Sequence, residues 1–154
     1  MKIEYRAGNL FLDPTLKHLV HCCNDRGQMG SGFAKELRKR YSGAYEDYYN
    51  RWKVNKGLSL GSVLPFVASD GVTIFNLIGQ QGFGQNGARY VSYDAITNGI
   101  IWINEHIEDC SELLMPTMGA VLAGGKWPII AAIVEEYSTR FKPVVYLFDG
   151  KLPA

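Results

Sequence analysis

The chain is poor in cysteine, with three in 154 residues, Cys22, Cys23 and Cys110, two of them adjacent. That number makes no paired disulfide framework and the spacing fits no zinc motif, so a reducing cytoplasm is expected and no metal or cofactor is implied. Charge of one sign is also lacking, because 16 Lys and Arg oppose 15 Asp and Glu. This excludes a strong overall field for nucleic acid or an anionic membrane, and any anionic ligand has to be held locally. Neither a basic stripe nor an RNA-binding motif is evident in the order of the residues. Long apolar runs are missing: residues 127–134 and 144–148 fall far short of the roughly 20 that span a bilayer. Residues 1–6 alternate apolar and charged types, unlike a secretory signal, so export is not expected. With no repeats or linkers and 47% hydrophobic residues, one soluble, monomeric domain over 1–154 is the expectation.

What the chain has is a regular alternation of strand and helix patterns. Residues 2–5 read as a short strand turned at Ala7-Gly8-Asn9, and 18–23 as a more buried one. Ala34, Leu37 and Tyr41 recur at helical spacing until Ser42-Gly43 breaks the pattern, and a second short helix carries Tyr45, Tyr48 and Trp52. Residues 61–68 and 72–78 form two strands across Ser69-Asp70-Gly71, a hairpin turn. Ser92 caps a helix whose apolar face is Tyr93, Ile96, Ile100, Ile103 and Ile107. A short strand at 113–115, a helix over 127–141 with Pro128 in its first turn and a strand at 144–148 complete the pattern. The order predicts a three-layer α/β/α fold with a mixed, mostly parallel central sheet and its site beyond the strand ends.

Two strand-to-helix loops, 24–32 and 116–125, are rich in small residues. Such loops let backbone amides approach a pyrophosphate, with the dipole of the following helix in support, although glycines before a helix also serve as plain turn residues. The acidic ribose ligand of a nicotinamide-dinucleotide motif is missing at its expected distance. A third polar loop, 80–89, offers Gln81, Phe83, Gln85, Asn86 and Arg89 as a lid. Tyr45, Tyr48, Trp52, Tyr90, Tyr93 and Trp127 read as covered helix faces rather than a platform for bases.

The string Val20-His21-Cys22-Cys23-Asn24 followed by Met29-Gly30-Ser31-Gly32-Phe33-Ala34 resembles the macro-domain family. The likeness continues in Ala7-Gly8-Asn9-Leu10, similar to its early Gly-Asp-Ile turn, and in Met115-Pro116-Thr117-Met118-Gly119, similar to its second phosphate loop. The branches it resembles most are the ADP-ribose 1″-phosphate phosphatases and the terminal ADP-ribose-protein glycohydrolases. The resemblance implies that ADP-ribose or ADP-ribose 1″-phosphate is the ligand. Asn9, beside Leu10, would accept from the adenine amino group and Asn24 would hold the distal ribose. Met29, Gly30, Ser31 and Gly32 would lie on one side of the diphosphate, and Pro116, Met118, Gly119, Ala120, Val121 and Leu122 on the other. Tyr146 or Phe148 would stack on adenine. Val121 stands where the family often has a second glycine.

The same resemblance separates possible activities. The glycohydrolase branch implies a lysine after the middle strand and an aspartate in the second phosphate loop, where this chain has Gln80 and Ala123. Neither residue can form a Schiff base or transfer a proton. The phosphatase branch implies His21 and Asn24 as catalytic residues, the imidazole moving a proton beside the distal ribose. A packed, hydrogen-bonded His21 between core cysteines is the competing reading. Hydrolysis of ADP-ribose 1″-phosphate is the leading expectation, with noncatalytic reading of ADP-ribose and removal of ADP-ribose from protein or nucleic acid as the alternatives.

Overall fold

Strand β2 (His18–Asn24) is buried at nearly every position, because both of its faces are covered. The computed structural model describes residues 1–84, 86 and 88–154. The other strands are β1 (Glu4–Ala7), β3 (Val63–Val67), β4 (Thr73–Gln80), β5 (Ser111–Met115) and β6 (Phe141–Leu147), and the helices are α1 (Gly32–Arg40), α2 (Ser42–Asn55), α3 (Tyr93–His106) and α4 (Trp127–Tyr137). They form one six-stranded sheet in the order β1-β6-β5-β2-β4-β3. Every neighbouring pair is parallel except β3 with β4, so the sheet is mixed and mostly parallel, as the hairpin turn at Asp70-Gly71 predicts. Prolines sit where the ladder tolerates them: Pro65 is on edge strand β3, and the β1 ladder on β6 begins at Val144, one residue past Pro143.

Side-chain alternation divides the core into two layers. Val20, Leu77, Leu113 and Val145 pack on one face against Ile96, Ile100 and Ile103 of α3 and Ile130 and Val134 of α4. Leu19, Cys23, Ile74 and Ile78 pack on the other against Leu37 of α1 and Tyr48 of α2. Two glycines allow close approach, since a Cβ on Gly99 would run into Leu77 beneath α3 and one on Gly43 into the Phe66 ring. Gly43 therefore seats α2 on β3, and Ser42-Gly43 opens α2 directly instead of ending in a loop.

Other boundaries shift for identifiable reasons. Helix α4 stops at Tyr137 because residues 138–140 turn and Phe141, fully buried, starts β6. Strands β5 and β6 begin earlier than their apolar runs, with the register partners Glu112 and Lys142, half-buried and exposed respectively, on an open stretch of sheet face. That open face carries a charged lattice: Arg6 bonds Asp13 at 2.8 Å and Glu112 at 3.1 Å, Lys142 bonds Glu4 at 2.8 Å, and the Tyr146 hydroxyl donates to Asp13. Burial alone would raise the Asp13 carboxyl, but hydrogen bonds from Thr15, Tyr146 and Arg6 outweigh it and hold the group well below the usual carboxylate range. Among the described residues no helix is long and apolar enough to cross a membrane.

Candidate functional site

The five parallel strands point their C-terminal ends to one edge of the sheet, and the loops that leave them meet there. The first loop is organised by Asn24, which is buried. Its Oδ1 accepts from the backbone N–H groups of Arg26 at 2.9 Å and Gln28 at 3.3 Å, and its Nδ2 donates to Gln28 O at 2.8 Å. The Tyr48 hydroxyl, from α2, donates to Asn24 O at 2.6 Å and lies 2.8 Å from its Oδ1. Asn24, expected at the distal ribose, thus has its amide engaged in shaping the loop. Met29 is buried and anchors the chain, Gly30 and Ser31 are exposed, and Gly32 opens α1 at φ +59°. Space around Gly30 is open, which lets a ligand reach the backbone.

The second loop faces the first. Met118 and Ala123 are buried. Gly119, at φ +77°, lies tight against Val91 and Ile130, and its carbonyl accepts from Gly125 N at 2.9 Å. Val121 and Leu122 are exposed, and a Cβ on Gly32 would stand 3.5 Å from Leu122 Cδ1, so the two loops are neighbours. Val121 has φ +57° and is 73% exposed. A β-branched residue in the left-handed region is strained, and such strain gathers at functional loops.

The third loop is fastened rather than free. Its Gly82 N–H donates to Asp25 Oδ1 of the first loop at 2.8 Å, and the Gln80 side chain donates to Gly82 O at 3.0 Å. At its other end Tyr90 N and Val91 N both donate to Ala123 O of the second loop, at 2.7 and 3.1 Å. Phe83 and Asn86 remain exposed between these anchors, and Arg89 lies over the Tyr93 ring. Gln85, included in the expected lid, lies outside the described residues. A cavity of about 390 Å³ beside this loop is lined by Gln81, Arg89, Tyr90 and Tyr93. One of about 470 Å³ lies below the end of α2, away from the glycine loops.

At the far end of the edge, Gly8 N donates to Leu147 O at 3.0 Å, setting Asn9 beside the end of β6. The Asn9 Oδ1 accepts from Phe11 N at 3.0 Å, and a carbonyl oxygen retains a second lone pair for another donor. Leu10 is buried beneath it. The two expected aromatics part company here: Tyr146 is tied through its hydroxyl to Asp13, whereas Phe148 is 85% exposed.

His21 does not join this edge. It is 2% exposed, its Nε2 lies 2.6 Å from Asn76 Oδ1, and its ring is tilted against Phe33. Asn76 in turn donates to Ala44 O at 3.1 Å. Burial pushes the imidazole down to about 4, against a smaller upward pull from Asn76, so the ring is neutral at neutral pH. Burial likewise pushes the Cys22 thiol up to about 12 and Cys23 well above its ordinary value. Neither thiol is a nucleophile at neutral pH. Strand alternation, which the sequence does show, points His21 under α1, but the depth of cover is set by Phe33 and α2. Asp25 as a clasp between two loops was not legible, because its partner lies 57 residues away.

A mixed α/β/α sheet with two glycine loops near each other at the strand ends is the architecture of a macro domain, and the chain has the macro-domain fold. ADP-ribose glycohydrolase OARD1 of Bos taurus is 27% identical to it over 149 residues, which are 94% of this chain and 91% of the relative. The uncharacterized 17.5 kDa protein of the tk-vs intergenic region of Enterobacteria phage T4 is 30% identical over 152 residues, 94% of this chain and 96% of its own length. A solved macrodomain protein from Streptomyces coelicolor matches with a TM-score of 0.75 at 25% identity, over 95% of this chain and 99% of that one. Thermosipho africanus DarTG in complex with ADP-ribose shares the fold at a TM-score of 0.75 and 18% identity, over 97% of this chain and 43% of that one. No family model matches the sequence.

Proposed function

We infer that this protein binds ADP-ribose across the edge formed by its three loops. The observation that carries the reading is the neighbouring pair of glycine loops, with exposed Gly30 and Ser31 on one side, Val121 and Leu122 on the other, and Gly32 close to Leu122. Backbone N–H groups there, at the start of α1, suit a diphosphate without a large net charge on the protein. Asn9 and Phe148 suit the adenine end, one with a free lone pair and the other with an exposed ring. The ADP-ribose complex of a fold neighbour supports the same ligand. Free cysteines support a reducing, cytoplasmic setting.

Hydrolysis at the distal ribose is the second reading, favoured by relatives named ADP-ribose glycohydrolase. ADP-ribose 1″-phosphate is the finer candidate substrate, suggested by the His-x-Cys-Asn motif. Its expected base, His21, is neutral and covered by Phe33, and Gln80 and Ala123 bring no proton-transfer group. Binding is therefore the primary conclusion.

Calorimetric titration with ADP-ribose, beside phosphate release from ADP-ribose 1″-phosphate, tests both readings. Saturable binding that Gly32→Val abolishes is expected, since a side chain there meets Leu122 and strains φ +59°. Absence of binding by the wild type defeats the reading, and phosphate release would promote the second one.

A further inference from the structure

A local concentration of positive charge lies inside the near-neutral composition. Residues 26–56 hold eight Lys and Arg, half of the 16 in the chain, against three Asp and Glu. They make the first loop, α1 and α2. Arg40 is paired with Glu36 and Arg51 with Asp47. Among the described residues, Arg26, Lys35, Arg38, Lys39, Lys53 and Lys56 pair with no carboxylate, and all six are exposed.

One of these cations, Arg38, is held against an aromatic ladder. Arg38 lies 3.9 Å over the Tyr45 ring, Tyr45 is stacked on Tyr49 with centroids 5.7 Å apart, and Tyr49 on Trp52 at 5.8 Å. Residues 45, 49 and 52 share one face of α2 at helical spacing. Trp52 closes the ladder by covering Gly27, where a Cβ would come within 2.8 Å of the indole. The ladder thus runs from α1 to the first glycine loop. With its ring faces engaged, it acts as a brace for Arg38 rather than as a stacking platform. A guanidinium stacked on a ring keeps its in-plane N–H donors free for a phosphate, and the Tyr45 and Tyr49 rings remain partly exposed.

We propose that the α1–α2 face binds the phosphate backbone of a nucleic acid, alongside the first loop. The proposal stands on charge complementarity and does not rest on the ADP-ribose reading. A local excess of exposed, unpaired cations, with Arg38 braced among them, draws a polyanion, and planar Arg donors with phenolic edges fit phosphate and sugar oxygens. An acidic protein is the competing polyanion and forms one arm of the test.

Fluorescence anisotropy of labelled single-stranded and duplex oligonucleotides, run over a salt series, tests the surface directly. Binding that weakens with salt is expected for at least one of them. The double variant R38E/K39E should weaken it at least about tenfold. It should also flatten the log–log salt slope by roughly 1.4 for a single strand, at about 0.7 for each phosphate no longer neutralised. Thermal unfolding of the variant serves as the control for folding. No salt-dependent complex, an unchanged affinity in the double variant, or equal binding of polyglutamate overturns the proposal.

Discussion

Protonating His21 should destabilise the fold, and the size of the effect follows from its burial. The imidazole is covered by Phe33, packed beside Cys23 and set 2.6 Å from Asn76 Oδ1. Its folded value is about 4 against an ordinary 6.5. The unfolded chain therefore binds more protons between those values, so stability rises with pH through that window and is lost as pH falls. At about 1.4 kcal/mol per unit, the whole depression corresponds to about 3 kcal/mol, of which roughly 2 kcal/mol is lost between pH 7 and pH 5. Burial lowers His18 as well, with the same sign, so the His21 share is isolated by difference. Urea unfolding of wild type and His21→Gln at pH 7 and pH 5 should give a smaller pH-dependent loss in the variant by roughly 2 kcal/mol. The fixed cost of the substitution cancels in that comparison. A proton NMR titration of the His21 ring in the wild type gives a second reading, with a midpoint expected near 4. Parallel pH curves, or a midpoint near 6.5, would refute the buried, neutral imidazole and reopen a role in proton transfer.

Two further outcomes are expected at the loops. Phe148→Ala should reduce ADP-ribose affinity about tenfold by calorimetry, the loss of one stacked ring, while leaving the unfolding midpoint unchanged because the side chain is 85% exposed. Unaltered affinity would remove Phe148 from the adenine end. Val121→Gly should raise stability by about 1 kcal/mol in urea unfolding, since relief of left-handed strain exceeds the added chain entropy of glycine. A lower midpoint would show that Val121 packs in a way its 73% exposure does not suggest.

The sequence by itself determined the layer count, the mixed sheet and the two glycine loops, because these depend on local periodicity and turn chemistry. Pro128 in the first turn of α4 and Ser92 at the cap of α3, whose Oγ accepts from Ala95 N at 3.1 Å, were legible for that reason. Tertiary structure alone decided the roles of the polar side chains. His21 and Asn24 sit in a motif that suggests chemistry, yet their partners, Asn76 and Tyr48, come from β4 and α2. Tyr146 and Phe148 look equivalent on the last strand until Asp13 claims one hydroxyl across the sheet face. The cationic segment is missed by a whole-chain composition, because total charge counts carry no positions. Its eight basic residues lie together in the chain, at 26–56, and tertiary structure decides which of them are exposed and unpaired. Periodicity is a property of neighbours along the chain, whereas burial, pairing and surface potential belong to neighbours in space.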